Sequence, residues 1–390
     1  MCGASAPQDD PSTLSRMRIA IIGAGLGGLA SAHRLLAAGF QVDVYERDTA
    51  LQARFQGYRI TLEEAGFAAL RRAVPTRLHE LLEAIGDEFH GTTRTVDPQL
   101  TTLDKPEFSH HGRMFDRNVL RHLLFAGVAD HVRFGHRFER YTELPDGNVE
   151  LAFADGRSAS ADLVIGADGL GSKVRRQLLP QVEMRELPIC AAIGRTPLTE
   201  RFAGLVSGRS LFVTSPDIQL MLGAMRFRRS PALAAQTMAP DVRLPDVSSY
   251  IRWVFLMPGP APADGDPSRI LDSIREWHPE LRALVRHADP ENSGIVPMRL
   301  GDPLPAWQTR AVTLLGDAGH LAPPGGNGAN VALLHTDQLA AELIEVRDGD
   351  SDLPTAVARY EQRLREYTAI GRTEVERVYD NFARLRADSR

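Results

Sequence analysis

The sequence predicts an α/β fold: a nucleotide-binding domain built on a parallel sheet, interleaved with a mostly β domain and followed by a long C-terminal helix. Three observations carry this expectation. An unbroken apolar run, Arg18-Ile-Ala-Ile-Ile22, leads straight into Gly23-Ala-Gly-Leu-Gly-Gly28. Between about 183 and 300 the texture changes to short apolar stretches separated by Pro and Gly. A further apolar run, Ala311–Leu315, then precedes a second glycine-rich segment and a charged helical tail.

Taken in order, residues 1–16 are small and polar and read as a disordered leader, without the basic and apolar regions of a signal peptide. Arg18–Ile22 reads as a strand buried on both faces. Leu29, Leu35 and Leu36 recur at helical spacing until Gly39, and Gln41–Tyr45 follows as a second strand, completing a Rossmann-like βαβ unit. Residues 113–137 read as a helix leading into a strand, with Val119, Leu120, Leu123, Leu124 and Val128 on its apolar face. Val149–Phe153 and Ser158–Ala161 flank the Asp-Gly turn of Ala154–Arg157 and deliver the chain to a buried strand at Asp162–Gly166. Leu211–Val213, Leu220–Leu222 and Trp253–Met257 read as strands of the β domain. The tail, from about 354 to 388, reads as a packing brace in which Glu361, Arg363, Arg365 and Glu366 form a solvated face beside Leu364, Ile370, Val375 and Val378. The expected division is 17–182, with room for inserted strands of the β domain, then 183–300, 301–345 and a terminal helix at 346–390.

Composition bounds the function. With 43% hydrophobic and 24% charged residues the chain has the balance of a soluble globular protein, and no apolar run approaches a membrane span. A net charge of -5, with arginines interspersed among carboxylates, argues against nucleic acid as a partner. Cys2 and Cys190 form neither a disulfide framework nor a Cys-x-x-Cys pair, which points to a reducing cytoplasm. His110, His111, His131 and His136 lack the companions of a metal site, and no metal is expected.

The chemistry is carried by three glycine-rich segments. Gly23-x-Gly25-x-x-Gly28 follows a strand and opens a helix, so backbone N–H groups approach a pyrophosphate there, and Glu46 at the end of the next strand is placed to accept from a ribose. This motif does not separate NAD from FAD. The second segment is Gly166-Ala-Asp168-Gly-Leu-Gly-Ser172-Lys-Val-Arg175, where Asp168 and Gly169 turn the chain and Ser172 caps a helix carrying Arg175. The third runs from Leu315-Gly-Asp317 through His320, Pro323, Pro324, Gly326 and Gly328 to Asn330. A carboxylate at Asp317 suits a ribityl or ribose hydroxyl, and the glycines leave room for a flat ring against bare backbone.

In this order and spacing the motifs resemble those of the FAD-dependent aromatic hydroxylase family, the group A flavoprotein monooxygenases, over residues 17–345. The segment from Tyr45-Glu-Arg47 through Arg54 and Gly57 is similar to tetracycline-inactivating and natural-product tailoring monooxygenases. The resemblance implies that FAD is bound and reduced by NADH or NADPH, and that one atom of O2 passes through a flavin C4a-hydroperoxide to a hydrophobic or aromatic small molecule. It implies that Gly23, Gly25 and Gly28 hold the FAD pyrophosphate, Glu46 the adenosine ribose and Arg47 the adenine side. Arg117 matches the family arginine near the phosphate and ribityl chain, and Asp168, supported by Arg175, matches the position tied to FAD and NAD(P)H. Asp317 matches the ribityl contact, Pro324, Gly326, Gly328 and Asn330 would line the isoalloxazine, and Arg54 is an NADPH contact by the narrower resemblance.

The chain departs from the family at His335, where an acidic residue is usual, with Asp337 displaced by two, and at Gly319 and Asn327. Met221, Met225, Phe227, Phe255, Met257 and Met298 either line a substrate pocket, which methionine suits, or fill the core. Arg209 either stands near the pocket entrance, by positional similarity to the tetracycline enzymes, or is a plain surface arginine. A halogenase lacks support because Trp253, Trp277 and Trp307 stand apart, and a second Gly-x-Gly-x-x-Gly, as in disulfide reductases, is absent. A flavin-binding protein that consumes no NAD(P)H is the alternative these residues leave open.

Overall fold

A computed structural model describes residues 17–53, 57–103, 108–207, 210–266, 268–322 and 327–369. The expected leader, Arg54, Arg209, Pro324, Gly326 and the tail beyond 369 lie outside the described residues.

The N-terminal βαβ unit forms as its pattern requires. Arg18–Ile22 is the central strand of a five-stranded parallel sheet in the order Val312–Leu314, Leu163–Gly166, Arg18–Ile22, Gln41–Tyr45, Val132–Arg133. Four of its five residues are buried, as are all of Leu163–Gly166, which is why these strands read as continuous rather than alternating apolar runs. Leu26–Ala37 crosses between the first two strands and stops at Gly39, which adopts φ +90°. A second long helix, Gly328–Asp348, lies against it. The approach is close: a Cβ on Gly27 would stand 2.6 Å from Leu315 Cδ2 and 3.3 Å from Ala332 Cβ, and Ser31 Oγ meets Thr336 Oγ1 at 3.0 Å.

The other large element is an eight-stranded mixed sheet, in the order Gly294–Gly301, Met184–Pro197, Tyr250–Pro258, Gln219–Met225, Ser210–Thr214, Asp87–Val96, Phe108–Asp116, Arg59–Leu62. Three of its strands therefore come from the first 120 residues of the chain. Residues 113–116 belong to one of them, so the helix expected from 113 starts only at Arg117, where the Asp116 carboxylate caps it by accepting from Val119 N at 3.0 Å. One face of this sheet is a dry core: Leu220, Leu222, Ile251, Trp253 and Phe255 pack against Phe202, Ile270, Leu281 and Leu284 from short helices and against Trp277 from the connection between two of them. A three-stranded antiparallel sheet, Phe138–Glu143, Val149–Phe153 and Ser158–Ala161, contains the expected Asp-Gly hairpin, with Gly156 at φ +85°.

The C-terminal helix starts at 353 and is described as far as 369. Tyr360 Oη donates to Leu314 O at 2.7 Å, and Arg359 and Arg363 pair with Glu342 on the preceding helix. Glu361 corrects the sequence expectation of a solvated charge: it is fully buried, accepts from Thr309 Oγ1 at 2.6 Å, and burial pushes its carboxyl pKa up. Among the described residues, no helix is long and apolar enough to cross a membrane.

Candidate functional site

The three glycine-rich segments converge at one edge of the parallel sheet. Ala167 N donates to Ile22 O at 2.8 Å and Leu315 N to Gly166 O at 2.8 Å, so the chain leaves the first, second and third motif strands side by side. Gly23 adopts φ +111°, and a Cβ there would lie 2.5 Å from Ala167 O. A Cβ on Gly28 would lie 2.0 Å from Gly23 O, so only hydrogen fits where the helix turns over the strand end. Around Gly25 the described residues leave 4 Å clear, and the helix that begins at Leu26 has neither an acidic residue in its first turn nor a side-chain cap. Its first N–H groups and positive dipole end face that opening, which suits a pyrophosphate.

Glu46 is 4% exposed. Its Oε2 accepts from Ala24 N at 2.8 Å and its Oε1 from Asp48 N at 3.0 Å, and the Arg121 guanidinium stands 3.4 Å from Oε2. Arg121 also donates to Ala24 O at 2.7 Å and Leu51 O at 2.8 Å. A carboxylate offers about four acceptor positions, so Oε1 keeps one for a hydroxyl. Arg121 was not singled out from the sequence. Its signal there is a charge flanked by Leu120 and Leu123 on the apolar stripe of an amphipathic helix. Arg47 is half-exposed beside Asp48. The Arg117 backbone N donates to Tyr58 O at 2.7 Å, and its guanidinium lies beside Gly57.

In the second motif Gly169 turns the chain at φ +80°, and Ser172 caps the helix Lys173–Leu178 by accepting from Arg175 N at 2.8 Å. Asp168 Oδ2 accepts from Lys173 N at 2.7 Å, while Oδ1 is buried without a hydrogen-bond partner. Burial pushes the Asp168 carboxyl pKa up, against the pull of those hydrogen bonds. Arg175 is buried too, and its guanidinium reaches across to the third motif, donating to Ala318 O at 3.2 Å and to Leu170 O at 2.8 Å, with Nε unpartnered. A buried carboxylate oxygen and a buried guanidinium N–H, each without a partner, mark a place where a polar ligand completes the hydrogen bonding. FAD, with its hydroxyls and phosphates, fits such a place.

In the third motif Gly316 turns at φ +60°, and a Cβ on Gly328 would come 3.0 Å from Asp317 Oδ1, so this exposed carboxylate stands at the start of the helix Gly328–Asp348. Asn330 works as a clamp: its Oδ1 accepts from Glu63 N at 2.9 Å and its Nδ2 donates to Thr61 O at 2.9 Å, tying the motif to the edge strand Arg59–Leu62. His335 is fully buried, its ring edge-on to Tyr360 and Tyr367, with neither nitrogen hydrogen-bonded. Desolvation, with His320 nearby, lowers its pKa to about 3, so it is a neutral packing residue.

The β-domain residues divide. Met221, Gly223 and Met225 alternate with Leu220, Leu222 and Ala224, and so occupy the face opposite the dry core. Met225 packs there with Tyr58, Met114 and Tyr250, and Phe227 lies against the same cluster. Phe255 is on the other face, fully buried between Trp253 and Trp277, which makes it core rather than pocket lining. Met257 shares that core, and Met298 packs with Leu187, Ile189 and Leu300.

Comparison with known proteins agrees with this geometry. Residues 21–71 match the NAD(P)-binding Rossmann-like domain family. The chain is 28% identical, over 92% of its length, to the dual O-methyltransferase/FAD-dependent monooxygenase CTB3 of Cercospora beticola, of which it spans 45%. It thus covers less than half of that protein. It is 31% identical to the phenazine 1,6-dicarboxylic acid hydroxylase PhzS of Lysobacter antibioticus, covering 90% of this chain and 87% of that protein. In fold it resembles Klebsiella pneumoniae HpxO complexed with FAD and uric acid, with a TM-score of 0.74 at 22% identity over 95% of this chain and 93% of that one. Three nucleotide motifs gathered on one sheet edge, and a relative matched at this identity over nearly its whole length, place the chain in the FAD-dependent aromatic hydroxylase family, the group A flavoprotein monooxygenases.

Proposed function

We propose that this chain is an FAD-dependent monooxygenase that takes electrons from NADH or NADPH and places one atom of O2 in a small hydrophobic or aromatic molecule. The observation that carries the reading is the joining of the second and third motifs by Arg175, which brings Asp168 and its unpartnered oxygen beside the strand end where the first motif turns. Relatives named for oxygenating small aromatic rings support the substrate class.

On this reading residues 17–182 and 301–345 hold the flavin and 183–300 supply most of the substrate side. Gly23, Gly25 and Gly28 let the pyrophosphate reach the N-terminus of Leu26–Ala37, and Glu46 accepts from the adenosine ribose with Arg47 alongside. Asp168, Asp317 and Arg117 take the ribityl and phosphate region, and Arg54, Pro324, Gly326, Gly328 and Asn330 complete the ring and NAD(P)H contacts. Bound FAD supplies the electron transfer and oxygen activation. The chain's own part is to hold that ring, exclude water with the apolar sheet face around Met221, Met225 and Phe227, and orient the substrate.

The test is the absorption spectrum of purified protein, then NADPH and NADH oxidation under air with and without aromatic acids, phenols and polyketides. A flavin spectrum with substrate-stimulated oxidation and an oxygenated product is expected. Bound FAD that neither nucleotide reduces would replace this reading with a noncatalytic flavin protein, and no affinity for flavin would remove both.

A further inference from the structure

On the face of the eight-stranded sheet opposite the apolar core, two arginines lie close together with no carboxylate hydrogen-bonded to either among the described residues. Arg252 is the third residue of Tyr250–Pro258, paired in register with Gly223 on one side and Arg195 on the other. Like charges directly opposite across a ladder repel. Arg195 is relieved by Asp289, its guanidinium 2.9 Å from the carboxylate, and lies over the rings of Tyr58 and Tyr250. For Arg252, no hydrogen bond or ion pair is found among the described residues, and burial lowers its pKa against a weaker pull from Tyr250.

Arg59 approaches from the edge strand, where it pairs with Asp116. Its guanidinium is seated on bare backbone: a Cβ on Gly223 would lie 2.5 Å from Arg59 Nη1, so only glycine admits it. Nη1 donates to Ala224 O at 3.1 Å, and Nε is buried without a partner. Asp116 does not neutralise it, because that carboxylate is committed to Val119 N and to the Tyr250 hydroxyl at 2.8 Å. Burial and the neighbouring Arg252 lower the Arg59 pKa to about 9, against the pull of Tyr250 and of Asp87, which is near it without a hydrogen bond, and this leaves it charged at neutral pH. Two guanidinium groups thus converge over Gly223, between Met221 and Met225, without a carboxylate bound to either among the described residues. The strand bearing Arg59 is also clamped to the flavin motifs, by Asn330 at Thr61 O and by Arg117 N at Tyr58 O.

Resting on the reading of this face as the substrate side of a flavin site, we infer that Arg59 and Arg252 form an anion-binding pair that takes the carboxylate of an aromatic acid. A planar carboxylate matches the fork geometry of guanidinium groups, and its charge offsets the repulsion between them. Met221, partly exposed on the same face, offers adaptable apolar surface for the ring.

The test measures binding to oxidised, FAD-loaded protein by calorimetry, without NAD(P)H. The probes are 6-hydroxynicotinate, phenazine-1-carboxylate and 2-naphthoate, each with its neutral amide, and 2-naphthol as an ionisable phenol. At least one acid should bind ten or more times tighter than its amide. Arg252→Gln should weaken that acid about 10- to 100-fold, the range for a hydrogen bond to a charged group, and leave the amide unchanged. Arg59→Lys, which keeps charge but loses the fork, should weaken it less. Retained FAD and an unchanged melting temperature show that the variants fold. Acids binding no tighter than amides, an equal loss of both in R252Q, or no acid binding would each overturn the proposal, and binding of naphthol alone would reassign the pair to a phenolate. Failure of the monooxygenase reading appears separately: acid binding that depends on Arg252 without any NAD(P)H oxidation removes the activity and keeps the anion site, whereas turnover of neutral rings only does the reverse.

Discussion

Arg121 and Arg252 are both arginines withdrawn from solvent, and their surroundings differ in kind. Arg121, behind the first glycine turn, has Glu46 at 3.4 Å and two backbone carbonyls within 2.8 Å. Arg252, on the sheet face, has no such partners among the described residues. The first arrangement is complete in itself, so its work is to tie Ala24 and Leu51 together around Glu46. The second is left with N–H donors to spare, which a ligand with acceptor oxygens can complete. Burial alone does not separate scaffold from binding group; the state of the partners does.

The sharpest way to break this contrast is Arg121→Met. Removing one partner of a buried pair leaves Glu46 uncompensated, and a loss of about 3–5 kcal/mol in unfolding free energy is expected, together with loss of FAD from the purified protein. Urea melts and the flavin-to-protein absorbance ratio check it; a variant as stable as the parent would put Arg121 in the same class as Arg252. Next in size is Phe255→Ala, expected to cost about 3–5 kcal/mol by opening the core beside Trp253 and Trp277, while Met221→Ala on the facing side costs markedly less. Equal costs would mean that both faces are packed alike.

A third test uses pH. His335 is protonated only near pH 3 in the folded chain and near its ordinary 6.5 in the unfolded one, so between those values the unfolded state binds the extra proton. Its contribution to stability is therefore intact above 6.5 and is lost as pH falls, by up to about 1.4 kcal/mol per pH unit. His335→Leu should make the difference between melts at pH 7 and pH 5 smaller by about 1–2 kcal/mol; an unchanged difference would show that the ring is not held neutral. Smallest of all, Ser172→Ala should cost about 1 kcal/mol as a lost helix cap, and Arg252→Gln should change stability by less than about 0.5 kcal/mol in either direction, as expected where no partner is broken.

The nucleotide half was legible in the sequence because its signals are local. A strand, a glycine turn and a helix specify one another within thirty residues, and the edges of Arg18–Ile22, Gln41–Tyr45 and the Val149–Ala161 hairpin lie where the periodicity puts them. The sheet strands at Arg59–Leu62, Asp87–Val96 and Phe108–Asp116 were not, because segments such as Asp-Glu-Phe-His-Gly-Thr-Thr-Arg-Thr-Val carry no clean alternation and are fixed by partners far away in the chain. The same reason hid Arg121, Arg252 and Glu361. Each looks like an ordinary charge until its neighbours close round it.

The order of strands in the parallel sheet also sets a timetable. Leu163–Gly166, all four residues buried, pairs on one side with Arg18–Ile22 and on the other with Val312–Leu314, nearly 150 residues later. While the chain is being synthesised, that second edge stays open until residue 314 has emerged, and the helix Gly328–Asp348 that covers Gly27 arrives later still. An unpaired apolar edge of this kind recruits other strands. Until then the nascent chain keeps an apolar edge open to wrong partners, and the flavin seat is unfinished until Gly328–Asp348 has been made.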